Sequence, residues 1–153
     1  MASGHSGAAP GGRDGDRVLV FQMAIPIRWG DMDAMGHVNN TVYFRYMEQV
    51  RIGWFDRLGV RPVPGGMGFV IVNAACSFLR QFEYPGTVLA RQYVGEVGRS
   101  SVMTHVDMSL TDEPETVRAR GSAKVVLIDT VRQKSAPLSE AMREMVRRPW
   151  RDG

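Results

Sequence analysis

Arg28-Trp29-Gly30-Asp31-Met32-Asp33-Ala34-Met35-Gly36-His37-Val38-Asn39-Asn40 joins an apolar, strand-like run to an apolar, helix-like run, and it gathers two carboxylates, a histidine, two asparagines and two glycines. A helix starting at its end leaves backbone N–H donors unpaired beside these side chains, and the positive end of the helix dipole favours negative charge there. This connection is the candidate site.

The run after it, 41–58, is the strongest helix in the chain. Tyr43, Met47, Val50, Trp54 and Leu58 recur at spacings of four and three, Asn39 or Asn40 can cap the start, and Gly59 can end it. Val42, Phe44, Tyr46, Ile52 and Phe55 widen the apolar surface, leaving Thr41, Arg45, Glu48, Gln49 and Asp56 as a narrow polar seam. Such a helix should be surrounded by other structure.

The remaining sequence has strands to surround it. Residues 18–27 read as a strand, with Pro26 placing its distal end at an edge or a bulge. Residues 61–68, rich in proline and glycine, read as a loop. Four strand-like runs follow, 69–82, 88–97, 101–110 and 116–128, separated by Tyr84-Pro85-Gly86, Gly98-Arg99-Ser100 and Asp112-Glu113-Pro114. An antiparallel meander is expected, and Val102, Thr104, Val106, Met108 and Leu110 alternating with Met103, His105, Asp107 and Ser109 set one face on a core. A short helix should open after Pro137-Leu138-Ser139, capped by Ser139 with Glu140 in its first turn, and run through Arg148. Residues 1–16 are rich in Gly, Ala and Ser and read as a flexible tail, 17–148 as a single domain and 149–153 as a C-terminal tail. The result is an α+β domain: a curved antiparallel sheet of about five strands wrapped around one long central helix.

Bulk properties narrow the function classes. A chain of 153 residues, 44% hydrophobic and 23% charged, is the size of one soluble domain with a real core. No apolar run is long enough to span a bilayer and the start has no basic-then-apolar pattern, so neither a membrane nor a secretory route is expected and the cytoplasm is the expected compartment. The one cysteine, Cys76, excludes an internal disulfide and a cysteine-rich metal site. The 19 Lys+Arg against 16 Asp+Glu give a formal charge of +3, carried almost wholly by arginine. That suits an anionic small ligand but lacks the clustered basic face that nucleic acid requires.

The order of elements, the segment from Trp29 to Asn40 and the following Tyr43 resemble the hotdog-fold acyl-CoA thioesterases of the 4-hydroxybenzoyl-CoA thioesterase type. The resemblance covers 18–128. It implies hydrolysis of an acyl-CoA or acyl-carrier-protein thioester, with no metal and no cofactor beyond the coenzyme A of the substrate. It also implies a homodimer or homotetramer, sheets joined edge to edge and active sites at the interface. The catalytic carboxylate of that family, the second aspartate of the pair, falls on Asp33, and the backbone donor to the thioester oxygen falls on the amide of Asn40. Gly36-His37-Val38-Asn39-Asn40 resembles the acyl-carrier-protein thioesterase branch, in which the aspartate and the histidine four residues on both matter; these are Asp33 and His37. Met35 stands where those enzymes carry asparagine.

Each residue has an ordinary reading beside the chemical one. Asp33 is either base or nucleophile, or it only caps a turn. Asp31 reads as a loop former that binds backbone N–H groups. Thr41 offers a second N–H at the helix start. His37 orients water or the carboxylate, or is a structural hydrogen-bonder; Asn39 supports Asp33, or caps the helix. Arg99, Ser100, Ser101 and Arg91 are candidates for coenzyme A phosphates. Met32, Met35, Met47, Val50, Trp54 and Phe69, with Tyr43, either line an acyl pocket or are plain core. Glu48 reads as a surface ion-pair partner of Arg45 or Arg51, His105 as structural, and Cys76 as a buried small hydrophobe. A non-catalytic acyl-CoA-binding protein and a hydratase or dehydratase on the same fold are the rival functions.

Overall fold

The computed structural model describes residues 16–61 and 65–151; the expected N-terminal tail lies, apart from Asp16, outside the described residues. The chain runs β1 (Val18–Pro26), a single 3-10 turn (Trp29–Asp31), α1 (Asn40–Leu58), β2 (Met67–Phe78), β3 (Thr87–Val97), β4 (Ser101–Leu110), β5 (Ala119–Asp129), β6 (Lys134–Ser135) and α2 (Glu140–Val146). One six-stranded antiparallel sheet results, in the order β1-β3-β4-β5-β2, with the two-residue β6 paired to β5 outside this path. Pro26 ends β1, which is an edge strand with a bulge between Leu19 and Phe21.

The expected meander holds only for β3-β4-β5. β2 pairs with β5, from Met67 opposite Asp129 to Phe78 opposite Ala119, and not with its neighbour in sequence, β3. The reason is α1. It carries the chain from β1 across the sheet to the opposite edge, and the segment after β2 crosses back to start β3 beside β1, with Pro26 opposite Thr87. β2 also stops earlier than expected: Leu79 and Arg80 both donate to the Arg118 carbonyl, at 2.8 and 2.9 Å, and peel the chain away from the sheet toward the candidate site.

α1 begins where the cap dictates. Asn39 has extended backbone and its side chain accepts from the Thr41 N–H, and Gly59, at φ 71°, ends the helix in the left-handed conformation that suits glycine. Tyr43, Tyr46, Met47, Val50, Arg51 and Trp54 bury one face of it. Around them the core forms two clusters. One holds Ile27, Val38, Tyr43, Met47 and Phe82 near the start of α1, and the other holds Val20, Trp54, Val94, Val125 and Val146 near its end. Contrary to what its apolar width implies, the helix is not surrounded: Phe44 and Ile52 remain exposed because the sheet packs against one side only. Arg51, assigned to the helix surface by its charge, is buried instead, and the surface pair is Arg45 with Glu48 at 3.7 Å.

Outside the helix most expectations hold. Ser139 caps α2 by accepting from the Met142 N–H, although α2 ends at Val146. Trp150 is no loose tail: its N–H donates to the Leu19 carbonyl at 2.7 Å, its ring meets Phe21 edge-on at 5.1 Å, and the Arg57 guanidinium lies 4.2 Å over it. His105 is buried on the sheet between Tyr93 and Ser122, and burial pushes its imidazole below the usual histidine range. Cys76 is half-buried, with its thiol pushed up to about 11 by burial, so it is a packing thiol and not an activated one. Among the described residues no helix is long and apolar enough to cross a membrane. A curved antiparallel sheet holding one long helix is the hotdog arrangement.

The seat of α1 depends on Gly121. A Cβ there would lie 2.5 Å from Sδ of the buried Met47, whereas a Cβ at Gly30 would meet nothing within 4 Å. Gly121→Val should therefore lower unfolding free energy by about 2 kcal/mol through overpacking. Gly30→Ala should be near neutral, and urea denaturation of the two variants against wild type measures both.

Candidate functional site

The connection between β1 and α1 folds into a tight polar loop. Met32 and Val38 form an isolated antiparallel bridge, and the turn between them closes with the Asp33 N–H donating to the His37 carbonyl at 2.9 Å and the Gly36 N–H donating to the Asp33 carbonyl at 3.0 Å. Gly36 has φ 77°, so this turn favours glycine. The Val38 N–H donates to the Phe82 carbonyl at 2.9 Å and anchors the loop to the segment that follows β2.

The two aspartates have separate duties. Asp31 Oδ2 accepts from the Arg28 N–H at 2.9 Å and from the Tyr46 hydroxyl at 2.7 Å, while its carbonyl accepts from the Asn39 N–H at 2.9 Å. It shapes the loop, as expected, but a side chain of α1 shares the work with the backbone. Burial, with the Asp31 bond second, pushes the Tyr46 phenol far above its usual range, so it stays protonated and donates. Asp33 Oδ1 accepts from the Met35 N–H at 2.9 Å, the turn-capping role, and Oδ2 takes a longer bond of 3.5 Å from Asn39 Nδ2. Asp33 is therefore part turn former and part of the open site.

Asn39 is the helix cap. Its Oδ1 accepts both the Thr41 N–H at 2.9 Å and the Thr41 hydroxyl at 2.6 Å. Both donors of Thr41 are thus engaged, which removes it as an oxyanion donor and as a substrate contact through its hydroxyl. The N–H of Asn40, by contrast, has no partner among the described residues. His37 reaches the segment after β2, with Nε2 3.5 Å from Glu83 Oε1, an ion pair whenever the imidazole is protonated.

Asp33, His37, Asn39 and Asn40 line one concavity of about 490 Å³ with Met35, Val38 and Gln81. Trp29 and Met35 are both 78% exposed on the same loop. Other expected contacts are elsewhere. Tyr43 and Met47 belong to the core, at 2% and 1% exposure, because they are the face of α1 that meets the sheet. Val50 and Trp54 are core as well. Arg99 and Ser100 form the turn after β3 and Ser101 opens β4; because the 11 residues of β3 start beside the end of β1, these three lie roughly 30 Å along the sheet from Pro26, where the connection that carries Asp33 begins in the same subunit. Arg91 Nη1 donates to the Pro114 carbonyl at 3.0 Å.

Sequence reading missed Gln81, Glu83 and Tyr46. Gln81 and Glu83 reach the loop only because β2 ends early, which no local signal announces. Tyr46 looked like one more apolar residue of a wide helix face; a hydroxyl on a buried ring needs a partner, and that was the available clue.

The chain's likeness to known proteins agrees with this geometry. Its sequence matches the model of the thioesterase-like superfamily over residues 27–146. The Bacillus subtilis protein YsmA, whose name carries no activity, is 30% identical over 95 residues, which is 61% of this chain; the match spans 65% of YsmA's own length. Among solved structures, the PA2801 protein of Pseudomonas aeruginosa, assigned provisionally by its name to the thioesterases, is 33% identical with a TM-score of 0.77 over 82% of this chain and 96% of that one. A 1,4-dihydroxy-2-naphthoyl-CoA thioesterase of Synechocystis shares the fold at 16% identity and a TM-score of 0.74, covering 82% of this chain and 94% of its own. With the family model spanning the helix, the loop and the whole sheet beyond it, this chain belongs to the thioesterase-like superfamily.

Proposed function

We propose that the protein is a thioesterase that hydrolyses an acyl-CoA or acyl-carrier-protein thioester to the free acid and the thiol. The reading rests on one observation: Asp33 and Asn40, whose N–H is unpartnered among the described residues, line the same concavity, with Asn39 bonded to the Asp33 carboxylate and adjoining Asn40 in the chain. Thioester hydrolysis needs both a carboxylate near the carbonyl carbon and a donor where the oxyanion develops.

In the general-base route Asp33 takes a proton from water as the water oxygen adds to the thioester carbon, and the carbonyl oxygen becomes an oxyanion bonded to the Asn40 N–H. Collapse breaks the C–S bond, and the proton held by Asp33 passes to the departing thiolate. In the nucleophilic route Asp33 itself adds, expels the thiolate and forms a mixed anhydride that water then cleaves into the free acid and the Asp33 carboxylate, the proton released from that water balancing the one the thiolate takes up. Asn39 holds the carboxylate in either route, and His37 stands at the rim where it can orient water. No cofactor or metal enters either route; coenzyme A arrives as part of the substrate, and the cytoplasm is the proposed compartment. The free edge of β2 supports a homodimer or homotetramer. Among the described residues this strand of 12 residues pairs only with β5, and Ile71, Val72, Phe78 and Leu79 beside its open edge are exposed. Arg99, Ser100 and Ser101 can serve coenzyme A at this site only from another subunit.

On a panel of aliphatic and aromatic acyl-CoA thioesters, wild type should release thiol. Asp33→Asn should lower kcat about 10²- to 10⁴-fold while keeping an acceptor for the Met35 N–H and hence the fold. A wild type inert on the whole panel, or a folded Asp33→Asn at full rate, refutes the assignment. Asn39→Ser separates capping from support: serine caps well but has no amide to reach Asp33, so unfolding free energy should move by less than about 0.5 kcal/mol while kcat drops. Light scattering should give a solution mass at least twice that of the chain, and a strictly monomeric active protein would sink the proposed assembly.

A further inference from the structure

We infer that Tyr46 is a positioning residue for this hydrolysis, holding Asp31 and, through it, Asn39 at the two reacting groups; the inference rests on the function proposed above. Tyr46 lies six residues into α1 from Asn40, about 9 Å along the axis, with its ring 4% exposed and its hydroxyl 2.7 Å from Asp31 Oδ2. From there the chain of bonds is unbroken. Asp31 accepts the Asn39 N–H on its carbonyl at 2.9 Å, and the Asn39 side chain then divides between Asp33 Oδ2 at 3.5 Å and the Thr41 N–H at 2.9 Å. Asn39 is thus bonded to Asp31, Asp33, Thr41 and Val42, and it touches Asp33 and adjoins Asn40, the two reacting groups.

The ring and the hydroxyl of Tyr46 do different things. The ring belongs to the core cluster with Ile27, Val38 and Met47, a job phenylalanine can do. The hydroxyl is aimed at the loop and bonds to a side chain of the connection itself, so the position of the loop is tied to the body of the helix as well as to its capped first turn. Arg28 shares the same Asp31 oxygen at 2.9 Å, which keeps the carboxylate from rotating but holds it only to its own loop. Tyr46 is the side-chain link from Asp31 to α1. The loop also meets α1 through the Asn39 cap, the packing of Val38 in the core cluster and the Val38–Phe82–Tyr43 bonds, but none of these holds the Asp31 side chain, and a shift of about 1 Å at a reacting group is enough to cost a large factor in rate.

The test is a kinetic double-mutant cycle on whichever acyl-CoA wild type hydrolyses best, using Tyr46→Phe, Asp31→Ala, the double variant and Asp33→Asn. Near-UV circular dichroism and thermal unfolding establish that each variant is folded at the assay temperature. Tyr46→Phe should lower kcat roughly tenfold with KM within about twofold of wild type, a loss confined to the transition state. In the Asp31→Ala background the same substitution should change kcat by less than about twofold, because the bond is already gone. An unchanged kcat in folded Tyr46→Phe, or an equal loss in both backgrounds, overturns the inference, since a packing role would not depend on Asp31. A fully active Asp33→Asn overturns the underlying reading and this inference with it. An inactive Asp33→Asn beside a fully active Tyr46→Phe overturns this inference alone.

Discussion

The side chain of Asn39 decides where α1 starts, and the geometry of the site follows from that choice. Its Oδ1 takes both donors of Thr41, at 2.9 and 2.6 Å, and this makes Asn40 the first helical residue, whose N–H is left without a partner among the described residues. Had Asn40 been the cap, the free donor would have moved on by one residue and turned by about 100° around the axis, away from Asp33. A cap is worth about 1 kcal/mol to a helix. Here the same contact also selects which backbone group faces the concavity.

Two aspartates two positions apart acquire different characters from their neighbours alone. Asp31 Oδ2 is engaged by a backbone N–H and a buried phenol, and its position is set by α1. Asp33 has one oxygen in a turn-capping bond and the other under a single long contact, so lone pairs remain for water or for a carbonyl carbon. Residue type does not separate them. What separates them is that Asp31 lies under the first turns of α1, within reach of Tyr46, while Asp33 is carried out to the rim by the turn that Gly36 permits.

The sequence made legible whatever is local. The cap, the long helix, the stop at Gly59, the edge role of Pro26 and the Ser139 cap each depend on residues within a few positions of one another, and each is found where the pattern puts it. What escaped is set by contacts distant in the chain. β2 reads the same whether it pairs with β3 or with β5, because alternation fixes the face of a strand and not its neighbour. Arg51 is buried although its charge argues for the surface, and Tyr46 bonds to a residue 15 positions earlier. Met47 and Tyr43 could be assigned to a pocket from helical spacing, but the same spacing describes the face that meets the sheet, and burial chose the second.

The two edges of the sheet differ in a way that bears on assembly. At β1 the chain closes its own edge: Trp150 donates its N–H to the Leu19 carbonyl and packs on Phe21 beneath Arg57. No comparable cover lies along β2 among the described residues, and its bulge between Ile71 and Asn73 leaves apolar side chains in solvent. β2 also ends at the site, since Phe78 packs edge-on against Tyr43 at 4.9 Å and the next few residues reach the concavity through Gln81. A strand added to that edge would run past the mouth of the concavity, whereas one added beyond β1 would have to displace Trp150 first. The exposed apolar edge of β2 and the residues that line the concavity therefore lie near one another, while Trp150 packs at the opposite edge, and in the homodimer proposed above a second subunit on β2 would wall the site without any change in the loop that carries Asp33.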